Sequence, residues 1–175
     1  GDLKERATEA IRFLSSEPIG HLNAILFYAA HKTCDLPRPL LYEQALAILN
    51  ERYPERRDEI ARTEVLFARA LVDDRFLFDS DRYLGEASHA LDKAEGYYQS
   101  QSRPDDVHQA WSVRIAYERA RLLKRLEQGA EAVEAAGHAL RIWRTLPPRA
   151  VRKAALPAED LEGWFFSLCL SVGCL

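Results

Sequence analysis

Leu126-Glu127-Gln128-Gly129-Ala130-Glu131-Ala132-Val133, followed by Ala139-Leu140-Arg141-Ile142, is the stretch that decides the fold. Apolar residues before it (Ala120, Leu122, Leu123) and after it (Val133, Ala136, Leu140) recur at helical spacing, and Gln128-Gly129 turns the chain between them. The small residues Ala120, Ala132 and Ala139 let the two helices of such a hairpin, and a following hairpin, approach closely.

The same reading extends outward in both directions. Helical periodicity is expected over 2–16, 20–33, 40–53, 54–72, 81–100, 104–126, 130–146 and 158–173. Between them stand breaks such as Pro37-Arg38-Pro39, Ser100 to Asp106 and Pro147-Pro148, and Asp79-Ser80-Asp81 offers a helix N-cap. A basic stretch from Arg149 to Lys153 reads as a link towards Pro157. No segment alternates with period two and no Asn-Gly or Asp-Gly hairpin turn occurs. The expectation is an all-α chain of about eight helices.

Spacing of the small residues suggests how the helices are arranged. Gly85-Glu86-Ala87, Leu91 and Ala94 repeat the second-helix pattern, with Ala68 or Ala70 as first-helix partner, and Tyr42-Glu43-Gln44-Ala45-Leu46 repeats it again. This resembles the tetratricopeptide repeat. Ala45, Ala87 and Ala132 are 42 and 45 residues apart, longer than the usual period of about 34, as in the elongated repeats of kinesin light chains or in a HEAT-like array. Arg52 departs from the pattern, standing where a small residue is expected. The resemblance implies a right-handed solenoid of antiparallel helix hairpins at about 20–53, 54–100 and 104–146, with terminal helices at 2–16 and 158–173. It also implies an interaction scaffold with a concave groove. The rival arrangement is an irregular helical domain with alanines at close contacts.

Composition narrows the function classes. The chain has 175 residues, 47% hydrophobic and 29% charged, which suits one globular domain rather than a disordered segment. A net charge of −3 is a poor electrostatic match for nucleic acid or an anionic membrane. Three Cys argue against a disulfide framework, and with no secretory leader or membrane-length apolar run the expected location is cytoplasmic or nuclear, not secreted. The absence of any Met suggests a piece of a longer protein.

Chemistry-bearing patterns are sparse. His31 and Cys34 lie three apart but lack the further ligands of a zinc site, so no metal is expected. The acidic pairs Asp73-Asp74, Asp79/Asp81, Asp105-Asp106 and Glu159-Asp160 fall at helix ends, where carboxylates cap and solvate. No phosphate loop, nucleophile elbow or His-Glu-x-x-His occurs, so neither an enzyme nor a cofactor is expected. Trp111, Trp143 and Trp164 sit in apolar stripes and read as packing residues, whereas Phe76-Leu77-Phe78 reads as a loop that plugs a hairpin end or offers a contact.

Charge is uneven. From Arg103 to Lys153 there are eleven Lys/Arg against six Asp/Glu. Within that part Arg114, Tyr117, Arg121 and Lys124 recur at three- and four-residue spacing, one helix face. The repeat resemblance places this face on the groove side and aligns Arg62 and Arg69 with it. A solvated charged face is the plainer reading. The expected function is a non-enzymatic scaffold binding an acidic segment of another protein; the alternative is a regulatory or ligand-sensing helical domain of a larger signalling or transcription-control protein. The last helix is apolar nearly all round, so Trp164, Phe165 and Leu168 are expected in a homodimer or in packing against the preceding hairpin.

Overall fold

A computed structural model describes residues 18–30, 38–73, 80–154 and 161–172. Among these residues there are eight helices and no strand: α1 (Pro18–Ala30), α2 (Arg38–Arg52), α3 (Arg57–Asp73), α4 (Ser80–Gln99), α5 (Asp106–Arg125), α6 (Gly129–Trp143), α7 (Pro148–Lys153) and α8 (Leu161–Val172). The expected helix at 2–16, the His31/Cys34 pair, Phe76-Leu77-Phe78 and Asp79 lie outside the described residues.

Several expected boundaries shift: the helices expected from 54 and 104 start at Arg57 and Asp106, and the one expected to 146 ends at Trp143. Pro39 belongs to the first turn of α2 rather than to the preceding loop; the first turn has no use for the amide hydrogen that proline lacks. The basic stretch after Pro147 is not a link but the short helix α7, with Pro148 at its first position.

Caps explain the limits of α5. The Asp105 carboxylate accepts from the His108 amide at 2.8 Å, and His108 Nδ1 accepts from the Asp105 amide at 3.3 Å, a reciprocal capping box. At the other end the Gln128 amide donates to the Leu123 carbonyl and the Glu127 amide to the Lys124 carbonyl. This is a Schellman turn, in which the residue usually glycine is Glu127, at φ 60°. The tight reversal sets α6 antiparallel against α5.

Packing is local along the chain. Each helix from α1 to α5 packs on its successor, and α3 also meets α5, α5 meets α7, and α6 meets α8. The close contacts are made by small residues: Ala45, Ala68, Ala87, Ala94, Ala120, Ala132 and Ala139 are completely buried. Larger side chains fill the space between layers, with Leu22, Ile25, Leu41 and Leu49 in a cluster spanning α1 to α3. Val65, Leu91, Trp111 and Leu122 lie in a larger cluster that runs from α3 to the start of α8.

Side-chain contacts give the helix directions. Asp58 meets Tyr98 and Glu64 meets Lys93, so α3 and α4 are antiparallel. Arg62 lies over Trp111 while Asp73 meets Arg121, so α3 and α5 run parallel. α8 runs antiparallel to α6, with Glu162 at Arg144 and Phe165 over Gly137. It buries Leu168 against the α5–α6 hairpin and Leu161 in the larger cluster, buries Cys169 as well, and leaves Phe166 and Leu170 exposed.

Candidate functional site

The residues singled out by charge and spacing fall on α3 and α5, the two parallel helices. Burying a charge is costly unless it is paired, and the structure shows how these are paired. Arg114 is 1% exposed and Glu118 fully buried, one helical turn apart, with Nη2 of Arg114 2.8 Å from Oε1 of Glu118. Burial pushes the Arg114 guanidinium below its ordinary value, opposed by the Glu118 charge. The expectation that Arg114 lines an open groove is therefore corrected: it lies inside, where α5 packs on its neighbours, paired within its own helix to Glu118.

Arg121 stands at the boundary. Its Nη1 donates to Glu118 at 2.8 Å, and its Nη2 donates to Asp73 at the last residue of α3. Burial disfavours the charged form of Arg121, but Glu118 and Asp73 outweigh it and hold the proton more tightly than usual. Asp73 also receives Nε of Arg69 at 3.5 Å, one turn earlier on α3. Arg125 donates to the Val72 carbonyl at 2.8 Å, a cation set against the negative end of α3.

Tyr117 lies beside this group, half-buried. Its ring is 5.9 Å from the Arg121 guanidinium and 4.6 Å, edge to face, from Trp164 of α8. Burial raises the phenol above its ordinary value. Lys124 is exposed, one turn beyond Arg121. The structure thus gathers Arg69, Arg114, Tyr117, Arg121 and Lys124, together with Asp73 and Glu118, into one patch.

Arg62 is placed elsewhere. It lies two turns before Arg69, paired with Asp58 and 5.6 Å over the Trp111 ring. Nearby, the Tyr98 hydroxyl donates to Asp58 at 3.3 Å, and burial raises its pKa well above the usual phenol range. Trp111 itself is buried with an indole N–H that has no hydrogen-bond acceptor.

Comparison with family models, with curated proteins and with solved structures finds no match. The residues themselves therefore carry the functional reading.

Neither acidic partner was expected in the site: Asp73 read from sequence as a helix-end carboxylate beside Asp74, and Glu118 was not singled out. Their spacing carried the signal: Asp73 is four residues after Arg69, and Glu118 is four after Arg114 and three before Arg121. Among the described residues no group of three or more His, Cys, Asp or Glu is placed to hold a metal, and no helix is long and apolar enough to cross a membrane. An open hollow of about 630 Å³ lies between the start of α3 and the end of α4, lined by Arg56, Arg57, Asp58, Tyr97 and Gln101, away from the α3–α5 patch.

Proposed function

We propose that the chain is a non-enzymatic helical-repeat module that binds an acidic segment of another protein along α3 and α5. One observation carries this reading. Two guanidinium groups on parallel helices, Arg69 and Arg121, converge on one carboxylate position at the surface, beside the aromatic wall of Tyr117 and Trp164. Arginine suits this task because its planar fork bonds carboxylates with two donors, and a rigid aromatic face adds contact area at low entropic cost. Lys124 extends the positive rim.

The repeat reading draws support from two features. Helices α1 to α6 pack in succession and α3 also packs on α5, and alanines at equivalent repeat positions are fully buried. In a solenoid each unit contacts only its neighbours, and the first helices of consecutive hairpins run parallel, as α3 and α5 do.

The occupant we assign is another protein rather than a second copy. Among the described residues of α8, Phe166 and Leu170 are the large apolar side chains that are exposed, at 61% and 65%. Two such side chains per protomer cover a few hundred Å², from about 150–250 Å² for an aromatic, well under the roughly 1,200 Å² of a stable interface. Trp164, Phe165 and Leu168 already pack within the chain. A buried free thiol at Cys169 fits a reducing compartment, cytoplasmic or nuclear.

Fluorescence anisotropy with a labelled poly-glutamate peptide tests the proposal. Binding should weaken as salt rises, because charges near the surface are screened over about 8–10 Å. The Arg69→Gln/Lys124→Gln variant should bind several-fold more weakly while keeping its circular dichroism spectrum. Unchanged affinity in that variant refutes the reading.

A further inference from the structure

The position that an acidic ligand needs is already filled by the chain's own carboxylate. Asp73 accepts a hydrogen bond from Arg121 through Oδ1 and is ion-paired through Oδ2 with Nε of Arg69 at 3.5 Å, so one carboxylate lies between both guanidiniums. The other acid in the patch is different in kind. Glu118 is fully buried between Arg114 and Arg121 and belongs to the helix packing. Asp73 is at the surface, its side chain 37% exposed, with Arg69 43% and Arg121 24% exposed around it. Ion pairs of that exposure add little stability, because water and salt compete for both partners. An incoming carboxylate therefore meets a seat of fixed geometry whose present occupant leaves at small cost. Glu118 holds Nη1 of Arg121 and keeps the fork aimed outward while Nη2 changes partner.

We propose that Asp73 is an intramolecular placeholder in the carboxylate seat formed by Arg69 and Arg121, displaced when an acidic side chain of the partner docks. This deepens the acidic-segment reading above and rests on it. The ligand class follows from the surroundings: a carboxylate for the two guanidiniums, with a neighbouring apolar side chain against Tyr117. The contact is autoinhibitory in sign. It lowers affinity for every acidic ligand and favours those presenting enough further contacts to replace it.

Four proteins, titrated with labelled poly-glutamate at low and moderate salt, separate the possibilities. They are the wild type, Asp73→Asn, Asp92→Asn and Arg69→Gln. Asp92 is a charge-matched control, because it is an exposed acid paired with Arg119 on α5. Asp73→Asn should bind about three- to fivefold more tightly than wild type, the range that a half-exposed ion pair represents. Asp92→Asn should bind as wild type does, and Arg69→Gln more weakly. Weaker binding by Arg69→Gln with no gain in Asp73→Asn overturns the placeholder while leaving the acidic-segment reading intact. Equal gains in Asp73→Asn and Asp92→Asn also overturn it, since the effect is then net charge alone. Arg69→Gln binding like wild type, or no binding by any of the four, refutes the acidic-segment reading itself. Asp73→Ser makes the same test with a different side chain should the amide variant not fold.

Discussion

Replacing Glu118 by Gln keeps the shape of the side chain and removes its charge. In the native structure Oε1 faces Nη2 of Arg114 and Oε2 faces Nη1 of Arg121, both at 2.8 Å. Glutamine presents an oxygen to one guanidinium and an NH2 to the other, so one contact becomes donor against donor. The contact to Arg121 is a hydrogen bond, and hydrogen bonds to charged groups contribute about 1.5–3 kcal/mol; the contact to Arg114 is an ion pair. The contact to Arg121 counts for less, since that side chain is partly exposed and water can replace the lost bond. The contact to Arg114 counts fully, because a guanidinium 1% exposed keeps its charge and loses the Glu118 carboxylate. Breaking a buried ion pair from one side costs about 3–5 kcal/mol, and we expect Glu118→Gln to fall in that range. Domains of this size lose about 2–4 °C in melting temperature per kcal/mol, so the midpoint should drop by roughly 10 °C. Urea unfolding followed by far-UV circular dichroism measures the loss directly. The double variant Arg114→Met/Glu118→Leu should recover most of it, because well-packed apolar side chains replace buried ion pairs at little net cost. A loss below about 1 kcal/mol for Glu118→Gln, against the expected range, would refute the assignment of this pair to the interior.

Three further outcomes follow from the same geometry. Ala120→Leu, at a fully buried contact of α5 with α6 and α8, should overpack and destabilise by about 1–3 kcal/mol in thermal unfolding. Glu127→Gly should stabilise by about 1 kcal/mol, because an L side chain at φ 60° carries a steric cost that glycine lacks; an unchanged urea midpoint contradicts this. Asp105→Ala should cost about 1 kcal/mol near neutral pH through loss of the α5 cap. The His108 amide holds the Asp105 carboxyl below its ordinary value, so its stabilisation is present above the unfolded-state value near 3.8 and is lost as pH falls through the lower folded value. The gap between wild type and Asp105→Ala should therefore narrow in strongly acid solution, and a gap independent of pH shows that the cap is not ionic.

The helices were legible in the residues because their cause is local. Apolar side chains recur every three to four positions, and Pro, Gly and Asp mark most ends, so each segment states its own period without reference to the rest. The close contacts at Ala45, Ala87, Ala120 and Ala132 were legible for a related reason: only small residues let two helix backbones approach, and their spacing repeats. The short helix α7 was less visible, since six residues hold less than two turns of pattern.

The charged patch divides differently. One helix is enough to show that Arg114, Tyr117 and Arg121 share a face of α5, and the intrahelical partner Glu118 is written in the same spacing. That Arg114 lies inside while Arg121 lies at the edge is decided by the helices that pack over α5, a matter of tertiary contact and desolvation rather than of sequence spacing. The arrival of Asp73 at Arg121, from 48 residues away along the chain, depends on α3 and α5 running parallel side by side. Sequence thus determined which groups carry charge and which faces are apolar, because those are properties of single residues and single helices. Only the packing of one hairpin on the next decided which charges are neutralised, which are buried, and which carboxylate occupies the seat between Arg69 and Arg121.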